Sequence, residues 1–223
     1  MTGVIIVTGA AGQLGAAVVA RLIAADCKVA GVDLAEAADL PGDAVFIGGV
    51  DLTDAEAVAV AYAGIVREHG PVAGLANIAG GFVWETLADG SADSFDRMYR
   101  MNVATTANSC RAALPLMDTD GAIVNVGAVG AVKAAAGMAA YAAAKAGVMR
   151  LTEALAEECK KGGPRVNAVS PSIIDTPVNR KDMPDADFDS WVSPDAVAEV
   201  VAFLLSAAAR GMTGALVPVT GRV

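Results

Sequence analysis

Short apolar runs alternate along this chain with longer segments rich in Ala, Val and Leu. Val4-Ile5-Ile6-Val7 is wholly apolar, as suits a central parallel strand covered on both faces. Ala16 to Ala25 then reads as helix. Further strands are predicted at Lys28–Asp33, Ala44–Ile47, Val72–Ala76, Ala122–Val126, Arg165–Val169 and Ala215–Val219. Asp54 is placed to cap a helix running to about Arg67, and Gly90-Ser91-Ala92-Asp93 opens a long one to about Leu114. Gly137 to about Lys160 is another, and Pro194, suited to a first turn, opens one to about Ala208. Strands and helices in alternation predict an α/β, doubly wound sheet of about seven mainly parallel strands, with right-handed crossovers and helices on both faces. No repeat, low-complexity tract or linker interrupts residues 1–223, so one domain is expected.

The candidate chemistry sits at the strand ends. Gly9-Ala10-Ala11-Gly12-Gln13-Leu14-Gly15 lies between the first strand and the first helix. Glycines there permit a tight turn, close backbone approach to a pyrophosphate and close helix–sheet packing, and the helix N-terminus offers free N–H groups to phosphate. Asp33 ends the second strand, 18 residues after Gly15, where a carboxylate accepts from the adenosine ribose hydroxyls of NAD and repels the 2′-phosphate of NADP. With no Arg or Lys from Gly9 to Gly15 to offset it, NAD(H) is the expected cofactor. Asn77-Ile78-Ala79-Gly80-Gly81 follows the fourth strand with small residues against which a cofactor can lie. Tyr141 and Lys145 stand four apart in an Ala-rich helical segment, hence on one face. A fixed ammonium beside a phenol lowers the phenol's pKa; a drop of about 3 units corresponds to roughly 4 kcal/mol. By itself this pair is equally a buried Tyr and a solvated Lys on one helix. Asn102 falls inside a helix, where the ordinary expectation is a solvated or locally bonded side chain.

Composition narrows the function classes. The chain of 223 residues is 55% hydrophobic but only 4% aromatic, which implies a core of small aliphatic side chains. A net charge of −9 and a pI near 4.5 argue against nucleic acid or an anionic membrane as partner. No apolar run reaches the ~20 residues that span a bilayer. The start, Met1-Thr2-Gly3-Val4, lacks the basic region of a signal peptide, so a cytoplasmic location is expected. Cys27, Cys110 and Cys159 read as reduced thiols, with no metal site. His69, the single histidine, reads as a solvated helix C-terminus, which disfavours Ser-His-Asp catalysis and a His-based metal centre.

Taken jointly, Thr8-Gly9 to Gly15, Asp51-Leu52, Asn77 to Gly80, Asn102, Tyr141-xxx-Lys145 and Pro171 to Thr176 resemble the short-chain dehydrogenase/reductase family, over the whole chain. The resemblance implies a Rossmann-type fold binding a nicotinamide cofactor and a small-molecule substrate. It implies that Tyr141 exchanges the proton, that Lys145 tunes it and holds the nicotinamide ribose, and that Asn102 positions a water. Asp51 and Leu52 would flank the adenine, Asn77, Ala79 and Gly80 would border the cofactor, and Pro171, Ile174 and Thr176 would lie at the carboxamide. Homodimers or homotetramers through the two long helices are the family habit.

Two positions depart from the family pattern: Gln13 stands where a Gly is usual, and Ala128, thirteen residues before Tyr141, stands where the catalytic Ser is usual. Loss of one preorganised donor typically costs about 10²–10³ in carbonyl chemistry. A dihydropteridine reductase-like branch of the family is similar here. It lacks that Ser, and its substrate-side segment is similar to Asp175 through Trp191, including Asn179; Gly137-Met138 also matches. The segment Pro171 to Val192 therefore reads as a substrate loop. Three readings stand: an NADH-dependent reductase of a conjugated imine or quinonoid, dihydropterin-like substrate; an ordinary alcohol dehydrogenase or ketone reductase that tolerates Ala128; and a non-catalytic NAD-binding sensor or scaffold.

Overall fold

The computed structural model describes residues 3–223. Met1 and Thr2, read above for a signal sequence, lie outside them. Seven parallel strands form one sheet: β1 Val4–Thr8, β2 Lys28–Val32, β3 Val45–Ile47, β4 Val72–Asn77, β5 Met117–Val126, β6 Arg165–Pro171 and β7 Leu216–Val219. Their spatial order is β3-β2-β1-β4-β5-β6-β7. The chain reverses its direction of winding between β1 and β4, and a crevice opens at the carboxyl ends of those two strands.

The strands alternate their side chains between two cores. Ile5 and Val7 of β1 face a layer built by Val18, Val19 and Leu22 of α1 (Gln13–Ile23) and Val197, Val201 and Leu204 of α7 (Pro194–Leu205). Val4 and Ile6 face the opposite layer, with Val58, Tyr62 and Ile65 of α2 (Ala55–His69), Cys110 and Ala113 of α4 (Thr105–Ala113) and Leu155 of α5 (Ala139–Cys159). Two of the helix starts show ordinary side-chain capping. Asp54 accepts from the N–H groups of Glu56 and Ala57, and Ser193 accepts from Ala196 with Pro194 in the first turn.

Several expectations are corrected. The long helix predicted over 90–114 is broken into α3 (Ser94–Met98), a π-helical turn (Tyr99–Ala104) and α4. β5 starts at Met117 rather than Ala122, and β6 continues to Pro171. The segment 171–192 contains a helix, α6 (Pro177–Asp182), because Thr176 caps it and Pro177 opens it. His69 ends α2 as expected, but its ring is mostly covered, with 22% of its side chain exposed and Nε2 4.0 Å from Glu68 Oε2. The three cysteines are free thiols, and Cys110 is buried. Among the described residues no helix is long and apolar enough to cross a membrane, and no group of three or more His, Cys, Asp and Glu is placed to hold a metal ion.

Candidate active site

The loop after β1 is built by close backbone contact. Gly9 has φ +66°, and a Cβ there would lie 2.8 Å from the backbone of Ala79. A Cβ on Gly15 would lie 2.0 Å from the Gly9 carbonyl oxygen, so only glycine fits. Gly12 differs: its Cβ would meet nothing nearer than the same oxygen at 3.4 Å. Packing within the chain does not require glycine there; the room it leaves belongs to the cavity it lines. Gly12 caps α1 without a side chain, and among the described residues no acceptor meets the N–H groups of Gln13, Leu14 and Gly15. These N–H groups, at the positive end of the helix, suit an anion.

Asp33 holds this loop. Its Oδ2 accepts from Ala11 N–H at 2.9 Å and its Oδ1 from Ala35 N–H at 3.0 Å. Thr8 Oγ1 accepts from Ile78 N–H and Ala79 N–H at 3.1 and 3.2 Å, tying the ends of β1 and β4 together. Asp51 Oδ1 accepts from both the N–H and the hydroxyl of Thr53 at 2.8 Å, which holds its carboxyl below the usual range. Leu52 is buried beside it, and its carbonyl accepts from Asn108 Nδ2 at 3.0 Å. One cavity of about 660 Å³ joins the glycine loop, Asp33, Asp51 and Leu52, Ala79 and Gly80, and Thr176.

At the other end of Gly80 the polar side chains converge. A Cβ on Gly80 would lie 2.6 Å from Asn102 Oδ1 and 3.3 Å from Lys145 Nζ. Asn102 is fully buried, not solvated. Its Nδ2 donates to the carbonyls of Met98 and Gly81 at 3.0 and 3.1 Å, and its Oδ1 accepts from Gly81 N–H at 3.2 Å. The π turn explains how it fits. Widening the helix frees carbonyls, and the Asn102 carbonyl accepts instead from Thr106 Oγ1 at 2.7 Å.

Tyr141 and Lys145 lie in the first two turns of α5. Lys145 is buried, and its Nζ donates to the Val126 carbonyl at 2.8 Å. Tyr141 packs edge-on against Phe82, with ring centroids 4.8 Å apart at 81°. The expected lowering of the phenol is reversed: burial pushes Tyr141 up to about 12. The same desolvation brings Lys145 down to about 8. The ammonium is turned to the end of β5, and desolvation dominates the phenol.

Other expected site residues do different work. Asn77 is buried, and its Nδ2 donates to Asn125 Oδ1 at 2.8 Å and Cys110 Sγ at 3.3 Å, so its side chain serves the sheet. Asn125 Nδ2 donates in turn to Thr152 Oγ1 at 2.9 Å, linking β4, β5 and α5. Asn179, expected on the substrate side, donates from Nδ2 to the Ile174 carbonyl at 2.7 Å. Trp191, expected there too, is buried and packs edge-on to Phe188, with centroids 4.9 Å apart. Arg180 pairs with Asp175 at 2.5 and 2.8 Å and lies 4.6 Å over the Phe188 ring, so this segment engages itself. Pro171 ends β6, Ile174 packs toward the α1/α7 core, and neither lines the cavity. Ala128 is buried just past β5. In the sequence Thr8 stands out only as part of the glycine motif, and nothing singles out Asn108, Asn125 and Thr152. Polar residues at strand and helix ends carry no mark of their partners.

Residues 3–187 match the family model described as short chain dehydrogenase. The chain is 33% identical to 2-(S)-hydroxypropyl-CoM dehydrogenase 3 of Xanthobacter autotrophicus, over 98% of this chain and 95% of that protein. It is 35% identical to a protein of the same organism named inactive 2-(S)-hydroxypropyl-CoM dehydrogenase 2, over 81% and 85%. A solved 3-ketoacyl-(acyl-carrier-protein) reductase from Brucella melitensis, complexed with NADH, superposes with a TM-score of 0.87 at 28% identity, covering 99% of this chain and 98% of that one. A matched family model, relatives aligned over most of their length and a solved structure that superposes over nearly the whole chain together make this chain a member of the short-chain dehydrogenase family of oxidoreductases.

Proposed function

We propose that the chain is an NAD(H)-dependent oxidoreductase in which Tyr141 exchanges a proton with a small substrate. The reading rests mainly on Gly80: it lines the cavity that begins at the glycine loop, and a Cβ there would meet Asn102 and Lys145, which lie behind it and do not themselves line the cavity. The unpartnered N–H groups of Gln13, Leu14 and Gly15 would hold the pyrophosphate. Asp33, with both oxygens already fixed by backbone donors, would accept from the adenosine ribose and repel a 2′-phosphate; one like-charge pair at 4 Å is worth about 4 kcal/mol at an effective dielectric of 20. Asp51 and Leu52 would border the adenine. When bound, the nicotinamide supplies or accepts the hydride.

Lys145, at about 8, stays largely charged at neutral pH and would hold the nicotinamide ribose. Tyr141, at about 12, holds its proton, which suits a donor in the reducing direction. Asn102, bonded to Met98 and Gly81, fixes the π turn beside Lys145 and would order water there. Retention of both Tyr141 and Lys145 favours catalysis over a sensor or scaffold. Calorimetry with NADH and NADPH, and turnover by Tyr141→Phe, test this reading. NADPH binding as tightly as NADH, or full activity in the variant, would remove it.

Ala128 offers no hydrogen bond to a substrate carbonyl, which favours a conjugated cyclic imine of the dihydropterin kind, whose ring nitrogens can carry the developing charge. The second reading is a ketone or secondary alcohol, favoured by the names of the relatives, which include a hydroxypropyl-CoM dehydrogenase and a ketoacyl reductase. Ala128→Ser separates them: about tenfold or greater gain in ketone reduction supports the second, whereas an unchanged rate supports the first. A homodimer or homotetramer in the cytoplasm is the accompanying expectation. Sedimentation as a monomer at micromolar concentration would contradict the assembly.

A further inference from the structure

Two exposed aromatic rings lie at the start of α5, Phe82 against Tyr141 and Trp84 against Gly137. Phe82 and Trp84 are 55% and 62% exposed, in a chain with few aromatic residues. They alternate about Val83, which packs inward against Met98, Ala140 and Ala144. The Phe82 ring meets Tyr141 edge-on. The Trp84 ring lies against Gly137, whose φ is +78°; a Cβ there would fall 2.3 Å from Trp84 Cε2. Glycine at 137 thus admits the indole four residues before Tyr141. The strap bearing both rings is fixed at its far end, where Glu85 N–H donates to the Gly137 carbonyl at 2.9 Å and Ser91 N–H donates to Glu85 Oε2 at 3.3 Å.

Rings held this firmly and left this open offer faces to something flat. We propose that Phe82 and Trp84 form an aromatic subsite that selects substrates with a planar conjugated or aryl group next to the reacting carbon. The proposal rests on the reading of Tyr141 as the proton-exchanging group and adds the class of substrate it serves. Phe82 borders the phenol, and Trp84 supplies the stacking face. Aromatic stacking of this kind is worth about two- to tenfold in affinity per ring.

The test compares acetophenone with butan-2-one, each reduced with NADH, in the wild type, Phe82→Ala, Trp84→Ala and Trp84→Leu. Trp84→Leu keeps apolar bulk without the ring. The ratio of kcat/KM for acetophenone over butan-2-one should fall about fivefold to tenfold in both Trp84 variants and about twofold to fivefold in Phe82→Ala. Quenching of tryptophan emission by acetophenone gives a readout independent of turnover. It should saturate in the wild type and vanish in Trp84→Ala, because Trp191 is buried. Saturable quenching with no turnover of either ketone would keep the subsite and remove carbonyl reduction. Turnover of both with an unchanged ratio would remove the subsite alone. A change of assembly size in Trp84→Ala would mark the rings as a subunit contact and overturn the proposal.

Discussion

Lys145 is an ammonium group buried against a single carbonyl, and its stability effect has a definite sign. In the unfolded chain the amine keeps its proton to about 10.5, whereas in the fold it releases it near 8. Between those values the unfolded state binds more protons, so rising pH favours the fold. The full shift corresponds to about 3 kcal/mol, of which about 2 kcal/mol is recovered between about pH 7 and about pH 10. Lys145→Met removes the titration. It also forfeits the hydrogen bond to Val126, worth about 1.5–3 kcal/mol for a charged donor, so the two proteins should be similar in stability near neutrality. Urea unfolding of both at about pH 7, 8.5 and 10 checks this. The wild type should gain about 2 kcal/mol relative to the variant across that range, with other titrations cancelling in the difference. Tyr141, raised by burial, works in the opposite sense only above about pH 10, where the unfolded phenol ionises first. A flat or falling difference would refute the desolvated ammonium.

Gly15→Ala places its Cβ 2.0 Å from the Gly9 carbonyl and should cost stability and more than tenfold in NADH affinity; Gly12→Ala, with only a 3.4 Å contact, should spare the melting temperature and weaken NADH alone, as calorimetry and thermal unfolding together would show. Asp33→Arg should shift the NADPH:NADH ratio of kcat/KM upward by at least about tenfold, read from initial rates with either cofactor. Asn125→Leu leaves Asn77 and Thr152 each short of a buried partner and should destabilise by about 2–4 kcal/mol in urea titration.

The sheet was legible because its central strands are short, wholly apolar runs, and the glycine loop because only its spacing permits the contacts at Gly9 and Gly15. The first five residues of β5, Met117 to Gly121, were not legible. Asp118, Thr119 and Asp120 are exposed and polar, and pairing there passes through an irregular register opposite Val72. The π turn was hidden because helix propensity does not distinguish one wider turn. Thr105 and Thr106, whose hydroxyls reach back to the carbonyls of Met101 and Asn102, were its sign. Thr176-Pro177 carries the cap and first-turn proline that mark α6, yet the segment as a whole reads as a loop. The partner of Asn77 was hidden because a side chain's direction depends on neighbours distant in sequence: Asn125 lies across the register from Asn77, 48 residues on. The sign of the Tyr141 shift was wrong for the same reason, since spacing brings a lysine near but does not state how much water is left.

The buried amides explain why Lys145 sits where it does. Its partner is the carbonyl of Val126, the last residue of β5. Asn125, one residue earlier, is tied on one side to Asn77 of β4 and on the other to Thr152 of α5. Thr152 also donates to the carbonyl of Val148, one turn below it on the helix that carries Tyr141 and Lys145. The ladder therefore fixes the end of β5 and the rotation of α5 relative to one another, which are the two coordinates that set the position of the Lys145 ammonium. Contacts among the alanine and valine side chains around that helix are non-directional, so they specify its rotation less sharply than hydrogen bonds do. Directional bonds between Asn77, Asn125 and Thr152 supply that specification.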